Sequence, residues 1–347
     1  MALKVTVVGV GLVGEAIVSC LKERKFPCRW PPRVAATRER PETLAGEKML
    51  VEETSAAVFE GADLVLFAGQ EGAKGASATW RKTAEAAGAW CIDNGRDFRL
   101  AEGVPLVVPE VNSGAITPKS RFIASPNCST IQLVVALAPI HRTARIRQIH
   151  VATYQATSGW GMKGPQELRR QTPQALQSLE NIEFDSSVFA RPIAFNCLPH
   201  IDVFLDDDYT REEWKMVHET RKILSDVSIR ISATAVRVPV LNGHSEAVWI
   251  ETEKNLSADE ARELLRKAPG VVVMDEPAGD GMRTYPTALD LLRPEYRDMT
   301  LVGRIREDTA SDRGLALWIV SDNIRKGAAL NVVQIAEVLL EKGYLKA

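Results

Sequence analysis

What this chain can fold into is constrained first by its opening residues. Leu3 to Val8 is a short apolar β-rich run, which passes into Gly9-Val10-Gly11-Leu12-Val13-Gly14 and then a helical stretch, Glu15 to Arg24. Ile17, Val18 and Leu21 fall on one side of that stretch. A strand, a GxGxxG turn and a helix in that order build a dinucleotide-binding fingerprint. Glycine lets the backbone approach a pyrophosphate, and free N–H groups at the helix start hold its charge. The alternative for such a turn is plain packing of helix on strand, with no ligand. The pattern then repeats. Arg33 to Thr37 reads as a second strand, Ala62 to Ala68 as a buried third with a helical stretch running to Ala87, and Ala89 to Ile92 and Val104 to Val108 as two more. Repeated βα units predict an α/β domain with a Rossmann-type, doubly wound parallel sheet, whose ligands sit beyond the carboxyl ends of the strands. The end of the second strand selects the cofactor. An NAD enzyme places Asp or Glu there for a ribose hydroxyl; Thr37-Arg38-Glu39-Arg40 instead offers a hydroxyl and guanidinium groups suited to a 2′-phosphate, which favours NADP.

From residue 126 the texture changes. Ser125-Pro126-Asn127-Cys128-Ser129-Thr130 leads into an apolar helix, Ile131 to Ile140. Cys128 thus lies at a helix N-terminus, where unpaired N–H groups and the helix dipole favour a thiolate. Beyond it the apolar period turns to two: Gln148 to Tyr154, Ala235 to Val240, Glu246 to Glu251, Leu301 to Arg306 and Leu315 to Ser321 all alternate. Helices are expected over Thr210 to Ser225 and over Ser257 to Lys267, the second opening on a capping-box pattern. Together these predict an α+β domain with a large mixed sheet, one face of it covered by helices. Asn331 to Lys342 makes a final amphipathic helix that returns to the first domain. The expected division is an NADP-binding domain over residues 1–126, joined by the C-terminal helix 326–347, and a catalytic domain over residues 127–325.

Composition narrows the function classes. The 347 residues carry 43 Lys and Arg against 45 Asp and Glu, a net charge of −2. Nucleic-acid and membrane-surface proteins rest on an excess of basic residues, so neither partner is expected. The five cysteines, Cys20, Cys28, Cys91, Cys128 and Cys197, are odd in number and scattered, with no CxxC pair. That argues against a disulfide framework and against a zinc site; no metal is expected. No run of about 20 apolar residues could span a bilayer. The start reads as a folded strand rather than a signal peptide, so the expected location is the cytoplasm.

Several segments are together similar to one family, the aspartate-semialdehyde dehydrogenases of the bacterial type. They are PLVVPEVN (Pro105 to Asn112), SPNCSTIQL (Ser125 to Leu133), TYQATSG (Thr153 to Gly159), IAFNCLPHIDVF (Ile193 to Phe204), VRVPVLNGHSEAVWIET (Val236 to Thr252), VGRIR (Val302 to Arg306) and WIVSDNIRKGAALNVVQIAE (Trp318 to Glu337), in order over nearly the whole chain. The resemblance implies NADPH-dependent reductive dephosphorylation of L-aspartyl 4-phosphate to L-aspartate 4-semialdehyde, in lysine, threonine and methionine biosynthesis. By the family motifs Cys128 is the nucleophile that expels phosphate and forms a thioester able to accept hydride, and His244 is its acid/base partner. Gln155 matches the residue that positions the substrate. Arg237 resembles the clamp for the α-carboxylate, Arg99 and Lys222 with Asn127 resemble the phosphate binders, and Glu219 the partner of the ammonium. Read alone, Glu219 and Lys222 would be an ordinary exposed helical ion pair. The family's NADP contacts fall on Gly9, Gly11, Leu12, Val13, Gly14, Thr37, Arg38, Gln70, Ser158, Gly159 and Asn323. The family also implies a homodimer or homotetramer, with the second-domain sheet as a contact surface. Two departures stand out: the glycine turn is one residue shorter than the family's GxxGxxG, and His200 replaces a common Gln. Two other readings stay open, another acyl-phosphate reductase such as N-acetyl-glutamyl-phosphate reductase and a non-catalytic NADP-binding paralogue.

Overall fold

The apolar opening run forms the strand Val5–Val8, buried at every position. It pairs in parallel with Arg33–Ala36 on one side and Leu64–Phe67 on the other. A central parallel strand is covered on both faces, which is why its sequence is continuously apolar rather than alternating. The computed structural model describes residues 2–69, 71–178 and 187–346. It divides into two units, Met1–Asn127 with Ala328–Ala347, and Cys128–Gly327.

In the first unit the described residues form a seven-stranded sheet in the order Arg40–Leu44, Glu47–Glu53, Arg33–Ala36, Val5–Val8, Leu64–Phe67, Trp90–Asp93, Phe122–Ala124. The chain winds outward from Val5–Val8 in both directions, which makes its carboxyl end the switch point where such sheets bind ligands. Two elements differ from the sequence reading. Arg40–Leu44 and Glu47–Glu53 form an unforeseen hairpin, its turn at Ala45 and Gly46 with positive φ at both, and this leaves one antiparallel strand at the sheet edge. Pro41 is tolerated there because an edge strand can lack an N–H. Conversely, Val104 to Val108 makes only an isolated bridge from Leu106 to Ala124. Pro105 has no N–H to give, and side chains take neighbouring backbone groups: Asn112 accepts from Val108 N–H and donates to the Leu106 carbonyl, and Asn331 donates to the Val107 carbonyl at 3.0 Å. The helices Leu12–Glu23 and Leu330–Glu341 bury Ile17, Leu21, Val333 and Ala336 in one core with the sheet.

The second unit carries a six-stranded mixed sheet, again among the described residues: Val271–Val273, Thr300–Glu307, Gly314–Ser321, His244–Thr252, Ile146–Gln155, Arg230–Arg237. The helices Cys128–Ala144, Arg211–Leu224 and Ala258–Arg266 pack on one face. Capping boxes fix two of them, Thr210 with Glu213 and Ser257 with Glu260. On the other face Tyr154 and Trp318 meet at 5.3 Å, and Trp249 is partly exposed. One further helix, Lys163–Gln177, was not anticipated. No helix among the described residues is long and apolar enough to cross a membrane.

Register then does the positioning. Gln155 is the last residue of its strand and pairs directly with Arg237, the last residue of the parallel neighbour. The antiparallel neighbour on the other side begins at His244, with Ser245 opposite Tyr154. Three adjacent strands therefore deliver an amide, a guanidinium and an imidazole to one end of the sheet, on its helix-covered face.

Candidate active site

Cys128 is the first residue of the helix Cys128–Ala144, so the N–H groups of that first turn have no intrahelical acceptor and their field falls on its sulfur. The side chain is partly exposed. The chain passes so close to it at Gly327 that a Cβ there would lie 2.9 Å from the Cys128 Cβ. A side chain at 327 would displace the cysteine.

The peptide at Ala156 organises the next two groups with its two polar atoms. Its N–H donates to His244 Nδ1 at 3.0 Å, and its carbonyl accepts from Arg237 Nη1 at 2.6 Å. Because Nδ1 is an acceptor, the neutral ring carries its proton on Nε2. Nε2 has no hydrogen-bond partner among the described residues. The ring is fully buried, and burial pushes its pKa down to about 3; the nearby Arg237 charge pushes the same way, and Glu212 opposes. Burial also lowers the Arg237 pKa, against Glu212 and Cys128, which favour the charge. Guanidinium stays ionised across the working range regardless. Gly159 makes room for both groups: a Cβ there would come within 2.7 Å of Arg237 Nη1 and 3.4 Å of the His244 ring. Arg237 also lines a cavity of about 420 Å³ with Trp160, Phe189, Leu198 and Phe204. His200 lies in the same wall, stacked on Phe204.

Gln155 is held from below. Its Nε2 donates to Ser129 Oγ at 2.9 Å and to Glu212 Oε1 at 3.1 Å. The second oxygen of Glu212 accepts from Lys215 Nζ at 2.9 Å, and Lys215 also reaches Asp202 at 2.9 Å. Glu212 was missed in the sequence, yet a signal was there. Glu212, Lys215, Glu219 and Lys222 follow one another at spacings of three, four and three, which puts all four on one stripe of the helix Arg211–Leu224. The Glu-x-x-Lys step that singled out Glu219 and Lys222 occurs one heptad earlier as well. Glu219 is buried and Lys222 partly so. Burial lowers the Lys222 pKa, and Glu219 resists that shift.

Ser158 and Asn323 bond to each other: Ser158 Oγ lies 3.0 Å from Asn323 Oδ1, which also accepts from Gly243 N–H at 3.0 Å. They brace the turn that leads into His244. In the first unit the glycines divide in role. Gly9 has φ of +107° and abuts Ala68 and Gly69, and a Cβ at Gly14 would run into the Gly9 carbonyl, so both serve the packing of helix on strand. A Cβ at Gly11 would meet nothing within 4 Å. Gly11 is the N-cap of the helix that begins Leu12-Val13, with no side chain capping it. Open space before an uncapped helix start is what a pyrophosphate requires. Thr37 and Arg38 stand exposed just past the second strand. Arg99 is buried and donates from Nη2 to the Asn94 carbonyl at 2.8 Å, and Asn127 is buried too. Gln70 lies outside the described residues.

Known proteins share this arrangement of elements. The family model described as semialdehyde dehydrogenase, NAD binding domain, matches residues 4–118, and that described as semialdehyde dehydrogenase, dimerisation domain, matches residues 137–326. The aspartate-semialdehyde dehydrogenase of Legionella pneumophila is 47% identical over 351 residues, spanning 99% of this chain and 97% of that one. The chain belongs to the aspartate-semialdehyde dehydrogenase family. The member from Aquifex aeolicus is 44% identical over 99% of this chain and all of its own length. Among solved structures, aspartate semialdehyde dehydrogenase II of Vibrio cholerae, complexed with ASA, is 38% identical with a TM-score of 0.87, covering 98% of this chain and 99% of that one. Membership in this family makes the chain an oxidoreductase with an NAD(P)-binding domain and a dimerisation domain.

Proposed function

We propose that the chain reduces L-aspartyl 4-phosphate to L-aspartate 4-semialdehyde with NADPH, through a thioester on Cys128. The observation that carries this reading is the Ala156 peptide, which ties a buried neutral His244 and a buried Arg237 together in the unit that opens on Cys128. The Cys128 thiolate, favoured by the helix field and by Arg237, attacks the acyl carbon; the C–S bond forms and phosphate leaves with the electron pair of the broken C–O bond. The nicotinamide, when bound, supplies the hydride that reduces the thioester. His244 donates a hydrogen bond from Nε2–H to the oxygen that becomes negative as the hydride arrives, and the hemithioacetal alkoxide then collapses to aldehyde and the Cys128 thiolate. Burial keeps the ring neutral beside Arg237, so the Nε2 hydrogen stays in place to donate. Arg237 clamps the α-carboxylate, Arg99, Lys222 and Asn127 hold the phosphate, and Glu219 meets the ammonium. A buried carboxylate at 219 supports the aspartyl substrate over an N-acetylated one, which has no ammonium to pair with it.

On the cofactor side, Gly9, Gly11, Leu12, Val13 and Gly14 receive the pyrophosphate, and Thr37 with Arg38 favours NADP over NAD. Ser158, Gly159 and Asn323 complete the cofactor contacts, together with Gln70. The working form is a homodimer or homotetramer in the cytoplasm, joined through the open sheet face around Tyr154, Trp249 and Trp318. The deciding assay is phosphate-dependent oxidation of aspartate semialdehyde, with NADP and NAD run in parallel. Faster phosphate-dependent turnover with NADP is expected; no phosphate-dependent turnover with either would sink the reading.

A further inference from the structure

One turn along the helix from Cys128, and one pleat along the strand from His244, stand two polar side chains that the proposed mechanism does not use. Gln132 follows Cys128 by four residues, so the two share one face of the helix Cys128–Ala144. Glu246 follows His244 by two, so both point to the helix-covered face of the sheet. Both Gln132 and Glu246 are buried. Thr153 and Ile319 flank Glu246 in the sheet, and Gln132 is the side chain that acts on it from the helix; no charged group among the described residues does. Yet Glu246 Oε1 and Oε2, with Gln132 Nε2 and Oε1, are all buried and outside hydrogen-bond geometry with any described residue. Four such atoms in one dry place are costly. A carboxylate only accepts, so it could take the amide N–H but would set its second oxygen against the amide oxygen. A carboxylic acid supplies the missing donor. Its O–H suits the amide oxygen while the amide N–H suits its carbonyl, and a small turn of the two end groups makes both bonds at once. Burial acts in the same direction, raising the Glu246 pKa well above the ordinary 4.5.

We propose that Glu246 and Gln132 are positioning residues, joined as a two-point acid–amide pair that sets the helix of Cys128 against the strand of His244. The inference rests on the proposed function for the roles of Cys128 and His244, and on burial and the unpaired atoms alone for the pair. The thiol rides on the helix and the imidazole on the strand. Apolar side chains between such elements can slide, whereas a satisfied pair of hydrogen bonds has one register. The pair holds only while the acid keeps its proton. Once it ionises at higher pH, one of the two bonds is lost and two acceptors face each other.

Two measurements test it. Infrared difference spectra of the folded wild type against Glu246→Gln, at neutral pH, should show the carbonyl stretch of one protonated carboxyl group. The band should return in the swap Gln132→Glu with Glu246→Gln, which rebuilds the same pair with its ends exchanged. This readout needs no turnover, so it survives if the mechanism fails; wild-type turnover of aspartate semialdehyde, measured alongside, judges that reading separately. Kinetically, Gln132→Leu leaves the acid without its partner and should lower kcat about 10- to 100-fold through misplacement of thiol and imidazole. Glu246→Gln keeps a two-point pair, amide to amide, and should keep most of the turnover. Its loss of kcat on the alkaline side should set in at higher pH than in the wild type, and the swap should restore the wild-type profile. A carboxyl group already ionised at neutral pH in the folded wild type, or one alkaline profile shared by wild type, Glu246→Gln and swap, would overturn the proposal.

Discussion

The first unit offers a ligand its backbone and its surface: Gly11 faces open space, and Thr37 and Arg38 stand exposed at a strand end. The second buries His244, Arg237, Gln155 and Glu212 and holds them by hydrogen bonds to the Ala156 peptide, Ser129, Lys215 and, for Gln155 and Glu212, each other. An open binding site gains affinity from separate contacts, and each can be lost with modest cost. A buried, mutually bonded cluster is arranged before the substrate arrives, so removal of one member leaves others unpaired in a dry environment. Binding tolerates change, and chemistry does not.

The largest effect should come from Cys128→Ala. Loss of the nucleophile should reduce phosphate-dependent turnover by about 10³-fold or more and leave NADP binding, read by fluorescence titration, unchanged; loss of both would mean that the two units are not separable in function. Arg237→Leu should raise KM for aspartate semialdehyde by about 10- to 100-fold, the worth of charge-assisted hydrogen bonds, again with NADP affinity intact. Within the first unit the glycines sharpen the contrast. Gly14→Ala should cost about 1–3 kcal/mol of stability through overpacking, seen as a lower melting midpoint. Gly11→Ala should leave the midpoint in place and weaken NADP binding about tenfold, or about 1.4 kcal/mol.

A pH-dependent contrast concerns two buried groups on one strand with opposite signs. His244 has a folded pKa of about 3 against about 6.5 unfolded. Between these values the unfolded chain holds a proton that the folded one refuses, so stability is lost as pH falls from 6.5 toward 3. Glu246, fully buried against Gln132, has its pKa raised well above 4.5, so it loses stability as pH rises past 4.5. His244→Gln should remove one slope and Glu246→Gln the other, each about 1.4 kcal/mol per pH unit, in denaturation midpoints measured across pH.

The elements that carried strong local chemistry were legible in the sequence. The glycine turn and its helix, and the Ser257 capping box, are decided by residues adjacent in the chain, and they fold as read. Val104 to Val108 is apolar enough for a strand, but Asn112 and Asn331 take its backbone groups, and one of those lies more than 200 residues away. The strand Arg40–Leu44 carries one buried apolar residue, Leu44, and is held by its pairing with Glu47–Glu53. In the second unit, Cys128, Gln155, Arg237 and His244 could be picked out by type and motif. What each presents could not. The tautomer of His244 depends on the Ala156 N–H, and the orientation of Gln155 depends on a glutamate 57 positions away. Gly159 read as a cofactor contact, and its structural reason is the space it leaves for Arg237 and His244.

The placement of Arg237, Gln155 and His244 at the ends of three neighbouring strands has a consequence for evolution of this site. Adjacent strands lie about 4.8 Å apart, and the hydrogen-bond ladder that sets this interval cannot be stretched. The backbone anchors of the guanidinium and the imidazole are therefore a fixed gauge of about 10 Å, with the amide midway. A relative that accepts a substrate one carbon longer cannot get there by sliding a loop. It must exchange a side chain for one of different reach, and the mark of that change will be written at one of these three positions or their immediate neighbours.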